Sequence, residues 1–394
     1  MFKRVQSAGH FLIFCGLTSL LCSPVHRANA QTWTLSSAPI AGWSCVCVSP
    51  DGGEAVAGNR GGYVYSSGDF GNSWNSMNPG DPDLWAWGAV GRAPENGQLY
   101  AAGSGGPIYR LTNIWFQTAA PVTTWASLIC FGDGRQVVAS IGVYQTGGIY
   151  VSSDFGDDWF QSDAPDQFWT GLAASSDAAR MVATAKNGGI YVSGDLGFAW
   201  TQTKAPNAYW TSIASSANGL NFAATQYGGG IYTSTDAGGT WMKSRAPILN
   251  WTSIASSGDG AKLAATVNGD RIYTSTNSGA TWQATASPLQ NWSAIASSAD
   301  GTKLVAVVNN GGIYTYDSLA NTPPPPPQLS LSVSGVRGTL FWPTYANGYV
   351  LQSNADLSTT NWVKVAIPPT TANGQYQVIV SLPNGKVFYR LHIP

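Results

Sequence analysis

The side chains that most often carry acid–base or nucleophilic catalysis are scarce in this sequence. Of its three histidines, His10 and His26 lie in the first thirty residues, and His392 lies two residues from the carboxyl end. Glu54 and Glu95 are the only glutamates. A Ser/His/Asp triad or a histidine-liganded metal needs histidine beside its other groups. The composition therefore argues against both kinds of site, and we expect neither a metal nor a cofactor.

Aspartates leave one catalytic hypothesis open. Two carboxylates that flank a sugar suffice for glycoside hydrolysis, and we name Asp83 and Asp166 as the candidate pair. Other charged residues expected on the same face are Asp81, Asp163, Asp270, Arg60, Lys186, Lys204, Arg245 and Arg271. The alternative is that these are solvated loop residues, since exposed acidic side chains are common on protein surfaces.

Aromatic side chains support a binding hypothesis. Trp85, Phe168 and Tyr209 each stand just before or near the start of a predicted strand, where flat rings can stack on sugars or grip a partner chain. Arg60 and Arg245 complete this candidate ligand-binding set. The regularly spaced tryptophans have an alternative role, packing between repeats. Trp85 stands outside that series and is therefore of special interest.

An internal repeat must position these residues. Trp210, Trp251 and Trp292 are 41 residues apart and open nearly identical segments. The series extends back through Trp169, Trp125, Trp87 and Trp43. A second marker, Ile or Val followed by Tyr, ends at Tyr65, Tyr109, Tyr150, Tyr191, Tyr232, Tyr273 and Tyr314. Both markers occur seven times, so we expect seven copies of one unit of about forty residues.

Each unit resolves into four short strands. In the sixth unit these are 251–255, 263–267, 272–275 and 282–286, separated by Gly258-Asp259-Gly260 and Asn268-Gly269 turns. Four antiparallel strands at this period predict an all-β fold, a seven-bladed β-propeller.

The ends of the repeated region predict how the ring closes. Trp241, Ala246, Pro247 and Trp251 link one unit to the next, and Trp33, Ala38, Pro39 and Trp43 repeat the same spacing. No first three strands precede Trp33, and the last unit stops near Tyr316 after its third strand. We therefore expect the N-terminal strand to complete the seventh blade.

A turn motif lies between the third and fourth strands of five units. Its copies are Ser67, Asp69, Gly71, Trp74; Ser152, Asp154, Gly156, Trp159; Ser193, Asp195, Gly197, Trp200; Ser234, Asp236, Gly238, Trp241; and Ser275, Asn277, Gly279, Trp282. This motif resembles the Asp-box, or BNR repeat, of sialidases, sortilin-type receptors, xyloglucanase-type glycosidases and photosystem II assembly-factor-like propellers. The resemblance implies that these are fold residues on the face away from the ligand. The second and seventh units lack the motif.

The resemblance does not extend to the catalytic residues of sialidases. A sialidase would add an arginine triad, a glutamate supporting a tyrosine nucleophile, and an early Phe/Tyr-Arg-Ile-Pro motif, none of which can be placed in this sequence. Sialidase propellers also have six blades.

The first thirty residues predict a signal peptide. Lys3 and Arg4 precede an apolar run, and Ala28-Asn29-Ala30 forms a cleavage signal. We expect a secreted, periplasmic or cell-surface protein with no membrane span. Removing residues 1–30 leaves 16 basic against 20 acidic residues, a net charge near −4, which argues against nucleic acid or an anionic membrane as partner. Cys45, Cys47 and Cys130 remain, and we expect them to be packing thiols, with one possible bridge to Cys130.

The carboxyl-terminal part predicts a second domain. Residues 321–327 contain a polyproline linker. Residues 328–394 then show six short β-rich runs, which predict a small β-sandwich-like domain. Gly348-Tyr-Val-Leu-Gln-Ser and Phe388-Tyr-Arg-Leu resemble a module that ends many large secreted bacterial proteins.

These observations favour a binding or scaffold propeller, 31–320, that presents the face opposite the Asp-boxes to an unknown protein or glycan. We expect it to be monomeric. The alternatives are a glycan-cleaving enzyme that uses two aspartates and a photosystem-assembly-type chaperone.

Overall fold

A computed structural model describes residues 33–77, 86–142, 144–318, 329–334, 337–343, 349–356, 358–372, 375–381 and 386–392. Every regular element among these residues is a β-strand. The chain divides into two compact units, one over Ala28–Asn321 and one that contains Thr322–Pro394. The predicted signal peptide, 1–30, and the linker, 321–327, lie outside the described residues.

The first unit is a seven-bladed propeller. Strand β1 is Thr34–Leu35. Blade 1 contains β2 (Ala41–Val48), β3 (Ala55–Asn59), β4 (Val64–Ser67) and β5 (Asn75–Ser76). Blade 2 contains β6 (Trp87–Arg92), β7 (Leu99–Gly106), β8 (Ile108–Leu111) and β9 (Trp115–Gln117). Blade 3 contains β10 (Thr123–Phe131), β11 (Gln136–Ile141), β12 (Ile149–Ser152) and β13 (Phe160–Gln161).

The later blades follow the same order. Blade 4 contains β14 (Trp169–Ala174), β15 (Met181–Gly188), β16 (Ile190–Ser193) and β17 (Thr201–Gln202). Blade 5 contains β18 (Ala208–Ser215), β19 (Phe222–Gln226), β20 (Ile231–Ser234) and β21 (Met242–Lys243). Blade 6 contains β22 (Trp251–Ser256), β23 (Leu263–Asp270), β24 (Ile272–Ser275) and β25 (Gln283–Ala284). Blade 7 contains β26 (Gln290–Ser297), β27 (Lys303–Gly311) and β28 (Ile313–Asp317).

The two sequence markers meet inside every blade. The first-strand tryptophan is at most 1% exposed, and its ring meets the third-strand tyrosine edge-on, with centroids 5.2–5.8 Å apart. Burying a tryptophan removes a large apolar area from water, and an edge-to-face pair adds to that stabilisation. The repeat therefore follows the packing of the blade core.

The N-terminal strand closes the ring, as the spacing around Trp33 predicted. Strand β1 pairs antiparallel with β28, with Thr34 opposite Thr315. The ring of Trp33 lies 6.1 Å from that of Trp292, the position that a fourth-strand tryptophan holds in other blades. The hydroxyl of Ser293 also donates a hydrogen bond across the closure to the carbonyl of Trp43, 2.8 Å away. The fold is therefore all-β and the outermost strand of blade 7 comes from the start of the chain.

Neighbouring blades are joined where second strands continue past the sequence-predicted turns. We predicted a turn at Asn268-Gly269, but β23 runs on to Asp270. The reason is that Asn268 and Asp270 pair with Asn291 and Gln290 of the next blade. A partner strand from another blade is not visible in a local turn signal.

The carboxyl-terminal unit is a small sandwich of two antiparallel sheets. One contains β29 (Ser330–Ser334), β30 (Arg337–Pro343), β33 (Thr370–Ala372) and β34 (Gln375–Ser381), and the other β31 (Val350–Asn354), β32 (Val363–Lys364) and β35 (Phe388–His392). Leu340, Trp342, Leu351, Val378 and Val380 form its core, with members from both sheets. Six strands were expected; β33, a short edge strand after two prolines, was not.

The three described cysteines are free thiols, as expected of packing groups, and the possible bridge to Cys130 does not form. Burial raises the pKa of Cys45 to about 11 and that of Cys47 to about 12. These side chains act as packing groups, since a thiol with a raised pKa is a poor nucleophile.

Candidate functional site

One end of the propeller, the rim face, is built from two positions in each blade. The inner rim residue stands directly before the first-strand tryptophan. The outer rim residue lies near the end of the second strand or directly after it, and donates its backbone N–H to the carbonyl of the inner one. These pairs are Arg60 and Gly42, Ser104 and Ala86, Gly142 and Thr124, Lys186 and Phe168, Tyr227 and Tyr209, and Asn268 and Asn250, with N···O distances of 2.6–3.1 Å. Asn309 and Asn291 hold these positions in blade 7.

Blades 4 and 5 form an aromatic sector. Phe168, Tyr209 and Tyr227 are 38%, 39% and 45% exposed. The Nζ of Lys186 lies 4.8 Å from the ring centroid of Tyr209, and the ring of Tyr227 lies 5.4 Å from it. Lys186 and Tyr209 are strand partners across the junction of the two blades. An ammonium group over a tyrosine face is stabilised by the ring quadrupole, so this cluster is preformed.

Blades 6 and 7 form an amide sector. Its four rim residues are Asn250, Asn268, Asn291 and Asn309, and the first three are exposed. None of these side chains hydrogen-bonds another group within the part of the chain that the structure describes. Asn268 and Asn291 are direct partners across the blade junction, so adjacent blades contribute neighbouring amides.

Blades 1 to 3 form a bare sector. Its inner rim residues are Gly42, Ala86 and Thr124, and two of its outer ones are Ser104 and Gly142. Only Arg60, which is exposed, brings a long side chain to these six positions. The inner and outer rim positions are therefore polarised, with their aromatic and amide side chains all on blades 4 to 7.

The loops that enter the inner strands add exposed apolar groups to the rim face. Ile40, Val122, Ile248 and Leu289 each follow the proline of such a loop, and Tyr144 lies in the turn after the second strand of blade 3. All five are more than 60% exposed. Isolated exposed apolar residues are ordinary on protein surfaces, and this face carries five whose exposure exceeds 60%.

The residues named from the sequence do not all lie on the rim. Asp83 and Trp85 lie outside the described residues, as does Asp81. Asp166 is exposed and makes no hydrogen bond or ion pair within the described chain. Arg60, Phe168 and Tyr209 are rim residues, whereas Arg245 is exposed in the loop before Ile248.

The residue equivalent to Arg245 in another blade makes hydrogen bonds that hold the fold. Its counterpart in blade 3 is Asp163, whose backbone N–H donates to the carbonyl of Phe198 and whose carboxylate accepts from the N–H of Trp200. Both partners belong to the turn of the next blade, so Asp163 serves the fold.

Sequence reasoning missed most of the rim. Tyr227 and the four asparagines were not named, nor were the residues that follow the loop prolines. A signal was present, because Asn250 and Asn291 directly precede Trp251 and Trp292 as Phe168 and Tyr209 precede their tryptophans.

The opposite end, the box end, carries the Ser-x-Asp-x-Gly-x-x-Trp turns. In blade 1 the Ser67 hydroxyl donates to Asp69 Oδ1 at 2.8 Å and accepts from the Gly71 N–H at 2.9 Å, while Asp69 also accepts from the Ser73 N–H. Hydrogen bonds from the Ser73 hydroxyl and amide, then from Ser67, lower the pKa of Asp69 to about 2. The other four turns repeat this pattern, with Asn277 in place of the aspartate in blade 6.

Metal-binding clusters and membrane-spanning helices are both absent from the described residues. These residues contain no group of three or more His, Cys, Asp or Glu side chains arranged to hold a metal ion. They also contain no helix with the length and hydropathy that crossing a bilayer requires.

Comparisons with known proteins agree with the architecture. No protein-family model and no curated protein matches the sequence. Among solved structures the chain is similar to YCF48 from Cyanidioschyzon merolae, with 14% identity and a TM-score of 0.59 over 74% of this chain and 99% of that one. A structure described as YCF48 bound to D1 peptide matches with 13% identity and a TM-score of 0.59 over 73% and 96%. At this identity the likeness shows a shared β-propeller fold.

Proposed function

We propose that this protein is a binding module whose rim face takes a protein partner. The observation that carries the proposal is the set of five apolar side chains on that face, Ile40, Val122, Tyr144, Ile248 and Leu289, each more than 60% exposed. Covering apolar area contributes about 25 cal/mol per Å², and such side chains anchor protein interfaces.

The chemistry of the face favours a protein over a glycan. Sugars bind protein by stacking on a bare aromatic face and by polar contacts. One face of Tyr209 is covered by Lys186, and four of the five most exposed rim-face side chains are branched aliphatics with no flat surface. Branched aliphatic groups instead fit the apolar side chains of a partner chain.

The comparisons supply further support. One of the similar propellers is described as bound to a peptide, so this fold accommodates such a partner in at least that protein. The Asp-box relationship, the secretory signal in residues 1–30 and the resemblance of the tail to a module of secreted proteins belong to the same proposal. Together they describe an exported or surface-exposed propeller that binds a protein.

The glycosidase hypothesis stays a prediction. Its pair is Asp83 and Asp166, and Asp83 lies outside the described residues. A general acid usually needs a buried or apolar setting that raises its pKa, whereas Asp166 is exposed. Assay of the mature chain on a panel of polysaccharides tests this directly: hydrolysis abolished by Asp166→Asn would establish the enzyme and displace the binding proposal.

A matched pair of surface variants tests the binding proposal. The probe is a phage-displayed library of random linear peptides, selected on residues 31–394. Selected peptides should lose at least tenfold in affinity on the variant Ile248→Asp with Leu289→Asp, because charges then replace apolar anchors. They should keep their affinity on Met242→Asp, since Met242 is 73% exposed but lies on the outer strand β21. Selected peptides that fail to distinguish the two variants, or an empty selection, would overturn the proposal.

A further inference from the structure

We infer that the partner enters as an extended peptide segment along blades 4 to 7, and that the asparagines of the amide sector hydrogen-bond its main chain. The inference rests on the proposed function and specifies the form of the partner. Its starting observation is the contrast between the amide sector and the bare sector on one ring.

The amides of this sector are unused within the described chain. Several asparagines elsewhere in the described chain bond within local turns: Asn59 accepts from the Gly61 N–H, Asn218 from the Leu220 N–H, and Asn354 from the Asp356 N–H. Asn250, Asn268, Asn291 and Asn309 make no such bond. Their backbone is already held by rim and strand hydrogen bonds, so the side chains are not needed for the turn.

The chemistry of a side-chain amide matches a peptide group. It presents N–H donors and a carbonyl acceptor in one plane, the same pair that each peptide unit offers. A carboxylate would only accept and a lysine would only donate, so a run of amides selects a neutral group with both functions. Asn268 and Asn291 face each other across a blade junction, which places adjacent amides along the direction of the ring.

The aromatic sector accounts for the side chains of such a segment. Phe168, Tyr209 and Tyr227 are partly exposed aromatic side chains, which suit a bulky apolar residue. Lys186 has no carboxylate partner within the described residues, since the ion pairs there are Arg92 with Glu54 and Arg110 with Asp157. We therefore expect a bound segment to place an apolar residue beside an acidic one at blades 4 and 5.

A glycan would use this arc differently. Its hydroxyls satisfy amides equally well, but of the two tyrosine rings in contact here, Tyr209 already has Lys186 over one face at 4.8 Å. The branched side chains of Ile248 and Leu289 flank the amide sector and would lie against hydroxylated rings. A peptide can therefore supply partners to more of these groups than a glycan can: main-chain amides for the asparagines, an acidic residue for Lys186 and apolar residues for the aliphatic side chains.

The test uses peptides from the same library selection and replaces one peptide bond at a time by an ester, which removes a single N–H donor. Ester replacement at positions over blades 6 and 7 should weaken binding to the wild type about tenfold, the effect of one lost hydrogen bond. The variant Asn268→Ala with Asn291→Ala should bind the parent peptide with at least the same loss and show no further loss with the ester. Asn75→Ala, an exposed asparagine on the outer strand β5, is the matched control and should leave both affinities unchanged.

The outcomes separate this inference from the proposed function. If peptides lose affinity on Ile248→Asp with Leu289→Asp but not on Asn268→Ala with Asn291→Ala, the function stands and the main-chain contact is refuted. If no peptide distinguishes the first variant from Met242→Asp, the proposed function fails. If a glycan array instead shows oligosaccharides whose binding depends on Asn268 and Asn291, the peptide is the wrong occupant. Unchanged thermal midpoints establish that each variant folds.

Discussion

The two ends of the propeller use polar side chains in opposite ways. At the box end, Ser67 and Asp69 hydrogen-bond each other and the amides of their own turn. On the rim face, Asn268 and Asn291 lie exposed and make no bond within the described chain. The first arrangement satisfies groups that folding would otherwise bury without a partner, whereas the second leaves groups available to another molecule.

This difference explains why one end repeats and the other varies. A box turn depends on its side chains, because the serine hydroxyl receives a buried glycine N–H. The rim bond joins backbone N–H to backbone carbonyl, so Gly42, Phe168 and Asn250 all fit the inner rim position. Variation at the rim therefore carries no structural penalty, and specificity can be placed there.

The largest expected difference in the free energy of unfolding is between alanine variants of two adjacent residues of β18. Trp210 is fully buried, and Trp210→Ala should lower the free energy of unfolding by about 3–5 kcal/mol. Tyr209→Ala, one residue earlier on the rim, should cost within about 1 kcal/mol, because the side chain is 39% exposed and loses mainly its contacts with Tyr227 and Lys186. Urea unfolding measures both. Equal losses would mean that the rim is part of the frame.

The second-largest loss in the free energy of unfolding is expected for a serine of a box turn. The Ser234 hydroxyl donates to Asp236 and accepts from the Gly238 N–H, so Ser234→Ala leaves a buried N–H unpaired and should cost about 1–3 kcal/mol. Thr240→Val removes only the exposed bond to Asp236 Oδ2 and should cost less than about 0.5 kcal/mol. Neither should change affinity for rim-selected peptides; a change with Ser234→Ala would couple the two ends.

The box aspartates should also make stability depend on pH. Their hydrogen bonds lower the pKa of Asp69 to about 2 and also lower those of Asp154, Asp195 and Asp236. Each group binds fewer protons folded than unfolded, so its contribution is complete above about pH 5 and is lost as the pH falls through the ordinary aspartate pKa of about 4 toward the lowered pKa of the folded state. The thermal midpoint should fall over that range.

Replacing all four aspartates by asparagine should flatten this dependence, as Asn277 already keeps the Ser275 and Thr281 bonds without titrating. Some slope should remain, because Ser298 and Thr302 hold the pKa of Asp300 at about 2. An unchanged midpoint curve for the four-asparagine variant would show that the box carboxylates do not set acid stability.

The sequence predicted what repeats. The spacing of tryptophan and tyrosine predicted seven blades, and the isolated Trp33 predicted that the N-terminal strand closes the ring. Both predictions succeed because every blade shares the same core packing. The rim was harder because each blade contributes only two residues there. That Lys186 covers Tyr209 depends on pairing between blades 4 and 5, which no local pattern records. The asparagines and the aliphatic residues could have been predicted as rim residues, because each stands a fixed number of residues from the first-strand tryptophan.

The smallest expected effect lies between the two ends, where inner-strand hydroxyls pair. Thr170 with Thr184, Thr211 with Thr225 and Thr252 with Thr266 form such pairs at 2.9–3.1 Å.

In blade 3 the corresponding residues are Ala126 and Ser140, and the buried Ser140 hydroxyl has no partner. Ala126→Thr should raise the free energy of unfolding by about 0.5–1 kcal/mol by supplying that partner. Ser140→Ala should be close to neutral alone but destabilising in the Ala126→Thr background, because the new hydroxyl then loses its acceptor. Urea midpoints for the wild type, the two single variants and the double variant measure this coupling, and additive effects would show that the two side chains do not meet.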